Sequence, residues 1–138
     1  MEYSKRLDCE TRGKDGELFL ASRLQAALEG TGLRILIRSD EEKQAPFDLE
    51  VLDGDRILVG IENKDLHLSK STRIEGIAIR RKEDHAKAFR IPKLLTTVTL
   101  RDVEQIGFRR GIENKPVSSY DFSLEHLVQE ILAARTEA

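Results

Sequence analysis

The chain has 138 residues and a mass of 15.7 kDa, a length typical of one domain, and we treat residues 1–138 as a single unit. Its 23 basic and 25 acidic side chains give a net charge of −2, which excludes a uniformly basic nucleic-acid-binding protein. Its apolar runs stay short of the roughly 20 residues that cross a bilayer, and residues 1–6 lack a signal peptide's apolar stretch. One cysteine, Cys9, excludes an intrachain disulfide. We therefore expect a cytoplasmic protein that does not bind membranes.

The near-zero net charge is an average over three unlike segments. Residues 1–63 carry nine basic and fourteen acidic side chains, a net charge of −5. Residues 64–93 carry nine basic and four acidic side chains, a net charge of +5, and residues 94–138 carry five and seven. A basic segment inside a neutral protein is typical either of a solvated helix face or of a phosphate-binding surface.

The first half of the chain predicts one helix and three strands. Leu20, Leu24 and Leu28 recur at helical spacing, so residues 16–29 are predicted to form a helix that ends at Gly30 and Gly32. Residues 33–38, 47–52 and 56–63 are predicted to form strands. The last two are separated by residues 53–55, Asp-Gly-Asp, which are typical of a hairpin turn.

The second half predicts a helix at 82–90 that ends before Pro92, a strand at 94–100 and a final helix that Ser123 opens. Residues 74–79 stay ambiguous because Gly76 interrupts an isoleucine-rich run. Asp102, three residues before Gln105, predicts the cap of a short helix. We therefore expect an α/β domain with the order α-β-β-β-α-β-α, in which residues 101–138 form a short helix, a loop and the final helix.

Glu17 lies on the same helical stripe as Leu20, Leu24 and Leu28, so the predicted helix directs a carboxylate along its apolar face. A buried carboxylate requires a cation, a metal ion or a water-filled cavity. The alternative is that Glu17 sits in the first helical turn, where an acid interacts favourably with the helix dipole and stays hydrated.

Two further acids lie on the predicted hairpin. Glu62 and Lys64 are two residues apart and share one face of a strand, opposite to its apolar side chains. A three-residue turn would place Asp48 opposite Gly60 and diagonal to Glu62, about 7–8 Å away. Two carboxylates at that spacing can bind one hard divalent cation. A two-residue Asp-Gly turn would place Asp48 on the other face and remove the site.

These residues carry a resemblance to a known family. Residues 46–48, Pro-Phe-Asp, are followed after thirteen residues by residues 62–64, Glu-Asn-Lys, and this spacing resembles the motif of the PD-(D/E)XK (restriction-endonuclease-like) nuclease superfamily. The similarity is greatest to the archaeal Holliday-junction resolvase type, in which a glycine precedes the helix acid by four residues, as Gly13 precedes Glu17. The resemblance covers about residues 12–100.

The chain also departs from this type at one place. The archaeal resolvases usually carry a glutamine on the helix that follows the motif, whereas this chain has Lys82, Glu83 and His85 in that stretch. Whether Lys82 or His85 takes part in the site stays open.

The resemblance implies a restriction-endonuclease-like core, with a central mixed β-sheet flanked by helices. It also implies a Mg²⁺-dependent endodeoxyribonuclease that hydrolyses phosphodiester bonds in duplex or branched DNA, with Mn²⁺ able to replace Mg²⁺. Asp48, Glu62 and the Asn63 backbone carbonyl would hold the metal ion. Lys64 would orient the attacking water and stabilise charge on the phosphate, and Glu17 would complete the outer shell or bind a second ion. The candidate catalytic residues are therefore Glu17, Asp48, Glu62 and Lys64.

With such a site beside it, the basic segment is interpreted as the surface that holds the DNA backbone. The expected phosphate contacts are Lys70, Arg73, Arg80, Arg81, Lys82 and Lys87. Cutting two strands with one active site per chain favours a homodimer, for which the apolar face of residues 124–132 offers an interface, although such a face is also typical of core.

Two other interpretations are compatible with the sequence. The chain could be a non-catalytic module of nuclease fold that binds nucleic acid or a protein partner, but such a module would be expected to have lost Asp48, Glu62 or Lys64. It could also be a structural or interaction protein in which these three residues form an ion-pair ladder on the surface.

Overall fold

The computed structural model describes residues 2–38, 47–66, 86–87, 90–113 and 115–136, with side chains described from residue 13 onward. These residues form two helices, α1 (Glu2–Ala27) and α2 (Leu124–Ala133). They also form five strands: β1 (Leu33–Ile37), β2 (Leu49–Asp53), β3 (Arg56–Asp65), β4 (Lys93–Leu100) and β5 (Gln105–Arg110). Short 3₁₀ turns lie at Arg101–Val103 and Val117–Ser119.

The five strands form one mixed sheet in the order β1-β2-β3-β4-β5. Only β3 and β4 are parallel, and every other neighbouring pair is antiparallel. The predicted α/β class with a mixed sheet is confirmed at this level. The segment that joins β3 to β4 contains the predicted helix at 82–90 and the ambiguous residues 74–79. Apart from Leu66, the helical residues Ala86 and Lys87, and residues 90–92, this segment lies outside the described residues.

The prediction for residues 101–138 is wrong at its start. Asp102 caps no short helix: Arg101–Val103 forms a single 3₁₀ turn that ends at Glu104, whose φ of 53° is left-handed. The chain then enters β5, in which Ile106 and Phe108 alternate with polar or small residues and are buried in the core. This period of two is the strand signal that the predicted cap obscured.

One apolar core joins both helices to the sheet. Leu20 and Leu24 of α1 are buried as their spacing predicts, as is Leu28 in the turn that follows the helix, together with Leu127 and Ile131 of α2. The apolar face of α2 therefore packs within its own chain. Leu127 and Ile131 belong to the core and not to a dimer interface. Ser123 caps α2 by accepting a hydrogen bond from the His126 backbone N–H at 3.1 Å.

Helix α1 begins at Glu2, fourteen residues before the predicted start. Glu17 consequently lies in the interior of the helix. The alternative of a hydrated acid in the first turn is therefore wrong.

The β2–β3 hairpin differs from the predicted register. Asp53 pairs with Arg56, so the turn has two residues, Gly54 and Asp55, and not three. Gly54 takes a φ of 63°, which only glycine adopts without cost at a turn. As a result, Gly60 lies opposite Glu50, and the prediction that it lies opposite Asp48 is wrong.

A bulge in β3 corrects the parity of this hairpin. Leu52 pairs with Ile57 but Val51 pairs with Val59, so Leu58 is an extra residue in β3. Without it, the two-residue turn would place Asp48 opposite Ile61, whose side chain lies in the core. With it, Leu49 pairs with Ile61, and the strands bring Asp48 to the level of Glu62.

Gly60 supports this geometry by leaving room for Phe47. A Cβ atom at residue 60 would stand 2.9 Å from two atoms of the Phe47 ring, which is almost completely buried. We expect Gly60→Ala to displace Phe47, the neighbour of Asp48, and to lower the free energy of unfolding by about 1–3 kcal/mol, the usual cost of overpacking. The urea midpoint of unfolding measures this change.

Gly13→Ala is the matched control, because a Cβ atom at this position in the interior of α1 would meet no described atom within 4 Å beyond its own helix. This substitution should leave stability unchanged or raise it by about 0.5–1 kcal/mol through helix propensity. Equal effects of the two substitutions would contradict the close packing of Phe47 on Gly60.

Candidate active site

Asp48 is fixed by three hydrogen bonds where β1, β2 and β3 meet. The Arg38 N–H donates to the Asp48 carbonyl at 2.9 Å, and the Asp48 N–H donates to the Ile61 carbonyl at 3.1 Å. The side chain takes part as well, because Oδ2 accepts a hydrogen bond from the Asn63 N–H at 2.9 Å. The Asp48 carboxylate is therefore held against the backbone of the Glu62–Lys64 segment.

Glu62 and Lys64 form an ion pair beside Asp48. The Lys64 Nζ lies 3.0 Å from Glu62 Oε1, and the Lys64 and Glu62 side chains are 30% and 9% exposed. Glu62 is thus almost buried, while Lys64 reaches solvent and can contact a molecule that approaches the site. The third interpretation of the sequence, an ion-pair ladder on the surface, does not fit a glutamate buried to this extent.

Glu17 approaches the same place from α1. Its side chain is buried, and its charge contributes to the raised pKa of Asp48, as would be expected of a nearby carboxylate. The helix can come so close because residue 16 is glycine: a Cβ there would stand 2.6 Å from the Asp65 Cβ. The structure therefore brings together all four predicted catalytic residues, Glu17, Asp48, Glu62 and Lys64.

Burial and the neighbouring acids raise the pKa of Asp48. Burial raises the pKa of Asp48 from its usual 3.8 to about 7, and the charges of Glu62 and Glu17 add to the rise. The hydrogen bond from the Asn63 N–H and the charge of Lys64 lower this pKa, but they do not offset the rise. A cation at the site would relieve the same repulsion.

Glu50 is a further buried acid, which the sequence did not single out. It lies two residues from Asp48 on β2, and its Oε1 accepts a hydrogen bond from Arg38 Nε at 2.6 Å. The ion pair with Arg38 balances the charge of Glu50, so the burial of this acid has a structural explanation and needs no metal ion. Its position between Leu49 and Val51 gave it the appearance of an exposed strand residue, so no sequence signal indicated its burial.

The donor set fits a magnesium ion better than a metal held by protein ligands alone. Among the described residues, no three histidine, cysteine or acidic side chains are grouped closely enough to hold a metal ion. Mg²⁺ is usually bound through one or two carboxylates and keeps several waters. Asp48, Glu62 and the Asn63 backbone carbonyl can supply such a set, with Glu17 outside it.

Most residues predicted to contact nucleic acid lie outside the described part of the chain, namely Lys70, Arg73, Arg80, Arg81 and Lys82. Lys87 is described and is exposed. Pro46 of the motif and His85 also lie outside the described residues. Across the described segments, no helix is long and apolar enough to cross a membrane.

Comparison with known proteins gives a likeness of fold. No family model and no curated protein matches the chain. Among solved structures, the chain is similar to Hjc, a Holliday junction resolvase from the archaeal hyperthermophile Archaeoglobus fulgidus. The TM-score is 0.55 at 12% sequence identity, and the match covers 81% of this chain and 98% of the resolvase. At this identity the likeness supports a shared fold.

The raised pKa of Asp48 predicts how stability changes with pH. The folded-state pKa of about 7 lies above the unfolded value of 3.8, so the folded state is favoured at low pH. This contribution is complete below the unfolded pKa and is lost as pH rises through the folded pKa. Between pH 4 and 8, metal-free wild type should lose up to about 4 kcal/mol more stability than Asp48→Asn, which keeps an oxygen for the Asn63 N–H.

Urea unfolding of both proteins in chelator across this pH range measures the difference. Subtracting the two curves removes the titration of all other groups, provided that they are unaffected. Parallel curves for wild type and Asp48→Asn would contradict the raised pKa.

Proposed function

We propose that the protein is a metal-dependent nuclease that hydrolyses phosphodiester bonds in DNA, acting as an endonuclease on duplex or branched, Holliday-junction-like DNA. The observation that carries the proposal is the meeting of Asp48, Glu62 and Lys64 at one hairpin, with Glu17 approaching from α1. The likeness in fold to a Holliday junction resolvase supports it, and so does the PD-(D/E)XK-like spacing of Asp48, Glu62 and Lys64 in this chain.

The proposed roles follow from the contacts. Asp48, Glu62 and the Asn63 carbonyl would hold Mg²⁺ or Mn²⁺, and Glu17 would lie in the outer shell or serve a second ion. When bound, the metal ion supplies charge for the phosphate and lowers the pKa of a bound water. The Asn63 N–H holds one oxygen of Asp48 and so fixes the orientation of the carboxylate.

Lys64 is suited to act on the phosphate. Its ammonium group is held 3.0 Å from Glu62 Oε1 and its side chain remains 30% exposed, so it is both oriented and accessible. We assign it to stabilising negative charge on the phosphate and to orienting the attacking water. An ammonium fixed before substrate binds needs little reorganisation during the reaction.

Duplex or branched DNA is favoured over single strands, because proteins that bind single strands stack the bases on aromatic side chains. This chain has few of them: two tyrosines, five phenylalanines and no tryptophan. The basic segment of residues 64–93 would hold the phosphate backbone. Cutting two strands with one site per chain favours a homodimer. The duplex or branched substrate, the basic binding surface and the homodimer are all part of the proposal.

Cleavage tests the proposed function directly. Linear, nicked and four-way DNA are incubated with wild type, Glu62→Ala and Lys64→Ala, in Mg²⁺, in Mn²⁺ and in chelator. Wild type should cut only with metal, and each substitution should lower the rate at least about 100-fold, as expected for loss of a metal ligand or of a charge-stabilising group. Glu104→Ala, which removes an exposed glutamate at the end of a 3₁₀ turn, is the matched control and should cut like wild type.

Two results would contradict the proposal. Metal-dependent cutting that survives both Glu62→Ala and Lys64→Ala would refute the assigned site. Tight DNA binding by wild type without any cutting would favour the non-catalytic module.

The basic segment predicts the salt dependence of DNA binding. The binding constant for DNA falls as salt rises, so a plot of its logarithm against log salt has a negative slope. Replacing both Arg80 and Arg81 by alanine should make this slope less steep by about 2, if each contacts one phosphate. The charge-matched control replaces Arg34 and Lys115, both exposed, and should leave the slope unchanged. Fluorescence anisotropy of a labelled duplex from about 50 to 200 mM salt measures it, and equal slopes for the two double variants would contradict the assignment.

A further inference from the structure

Two buried threonines of β4 form hydrogen bonds with the side chain of Asn63. The Thr97 hydroxyl donates a hydrogen bond to Asn63 Oδ1 at 2.8 Å, and Asn63 Nδ2 donates one to the Thr99 hydroxyl at 3.3 Å. Both threonines are completely buried, and Asn63 is 7% exposed. The parallel register explains the contact, because Asn63 pairs with Thr97 and Asp65 pairs with Thr99.

Such a pair of hydroxyls is unusual on the sheet face that packs against the core. Leu95, on the same strand and the same face, belongs to the apolar core. Burying a hydroxyl or an amide is costly unless it is hydrogen-bonded, and apolar side chains could fill the same space. A fully bonded polar network in a core does provide one thing that apolar packing does not, which is a single orientation for its members.

The network fixes the backbone on which the candidate site depends. The Asn63 N–H holds the Asp48 carboxylate at 2.9 Å, and the Asn63 carbonyl is a proposed metal ligand. The threonine hydroxyls also lie 3.5 Å from the neighbouring carbonyls, Thr97 near that of Glu62 and Thr99 near that of Lys64. Both threonines therefore contact the three-residue segment that supplies the site.

Thr99 also reaches the helix that carries Glu17. A Cβ atom at Gly16 would stand 2.9 Å from the Thr99 hydroxyl, so α1 rests directly on this residue. The same hydroxyl donates to Asp65 Oδ1 at 2.8 Å. Asp65 is held from its other side by Arg101, whose Nε and Nη2 donate to its two oxygens at 3.0 and 2.7 Å.

We infer that Thr97 and Thr99 are positioning residues of the candidate site, which set the metal-binding geometry by orienting Asn63 and by seating α1 at Gly16. In this role they would touch neither the phosphate nor the metal ion. The inference rests on the proposed function, since it concerns the affinity of the same site for a divalent cation. Partners of metal ligands in other proteins typically change metal affinity or activity by about 10–100-fold when they are replaced.

The test compares Thr99→Val, which keeps the shape but removes the hydroxyl, with Thr99→Ser, which keeps the hydroxyl. Isothermal titration with Mn²⁺ in the absence of DNA should give an affinity about tenfold weaker for Thr99→Val. Thr99→Ser should remain within about threefold of wild type. Thr97→Val removes the other hydroxyl and should weaken Mn²⁺ binding like Thr99→Val. It replaces Thr99→Val in the test if that variant does not fold.

Ile131→Val is the control for a general loss of stability. It trims a completely buried side chain of α2 in the same core without touching the network. Its Mn²⁺ affinity should equal that of wild type even where its unfolding temperature falls as far as that of Thr99→Val. A role that is only structural predicts that all variants of equal stability bind Mn²⁺ equally.

Cleavage adds a second readout. For Thr99→Val at saturating DNA, kcat should fall about tenfold at a fixed Mn²⁺ concentration below saturation, while KM for DNA stays within about twofold. Wild type that cuts no DNA refutes the nuclease proposal, whereas equal Mn²⁺ affinity of wild type, Thr99→Val and Thr97→Val refutes the positioning role. The two failures are thus distinguishable.

Discussion

The candidate site depends on the register of one hairpin. In a β-ladder, a shift of one residue moves every following side chain to the other face of the sheet. The two-residue turn at Gly54 and Asp55 would by itself place Asp48 opposite Ile61. The extra residue Leu58 shifts the register by one, and only then do Asp48 and Glu62 come to the same level of the hairpin. Fold and site are therefore linked through a local irregularity whose extra residue, Leu58, is itself buried in the core.

The same hairpin brings together groups that repel one another. Glu17, Asp48 and Glu62 are held close enough that burial and their mutual charge raise the pKa of Asp48 to about 7. Lys64 matches part of this charge, and the rest is a cost to the metal-free protein. Such a cluster would not be expected in a protein that gains nothing from it. A divalent cation would be attracted by the same negative charges that repel one another in the metal-free protein. The apparent neutrality of the chain reflects this acidic region set against the basic segment at 64–93.

Much of the fold could be predicted because it depends on local patterns. The leucine stripe of α1, the turn residues Asp-Gly-Asp at 53–55 and the β-branched residues of β4 each indicated an element that the structure contains. The side of the helix on which Glu17 lies followed from the same stripe. The bulge at Leu58 could not be predicted, because it arises from how β2 and β3 pack and leaves no turn residue in the sequence. Strand β5 was missed because Asp102 and Gln105 match the spacing of a helix cap.

The threonine pair was missed for a different reason. Thr97 and Thr99 are ordinary residues for a strand, and only the pairing of β4 with β3 shows that both face Asn63. The signal available in the sequence was the recurrence of threonine at alternate positions, 97 and 99, of the face that also carries Leu95. A polar residue repeated on a buried face indicates a partner on the neighbouring strand, and here that partner is the residue between Glu62 and Lys64.

Asp48, Glu62 and the Asn63 carbonyl are proposed to hold a divalent cation together. The most direct measurement is a crystal structure with Mn²⁺, with the ion located by its anomalous scattering. We expect an anomalous peak within about 2–2.5 Å of one oxygen from each of these three residues. A fully ordered site that shows no peak at saturating Mn²⁺, with Lys64 still paired to Glu62, would contradict it.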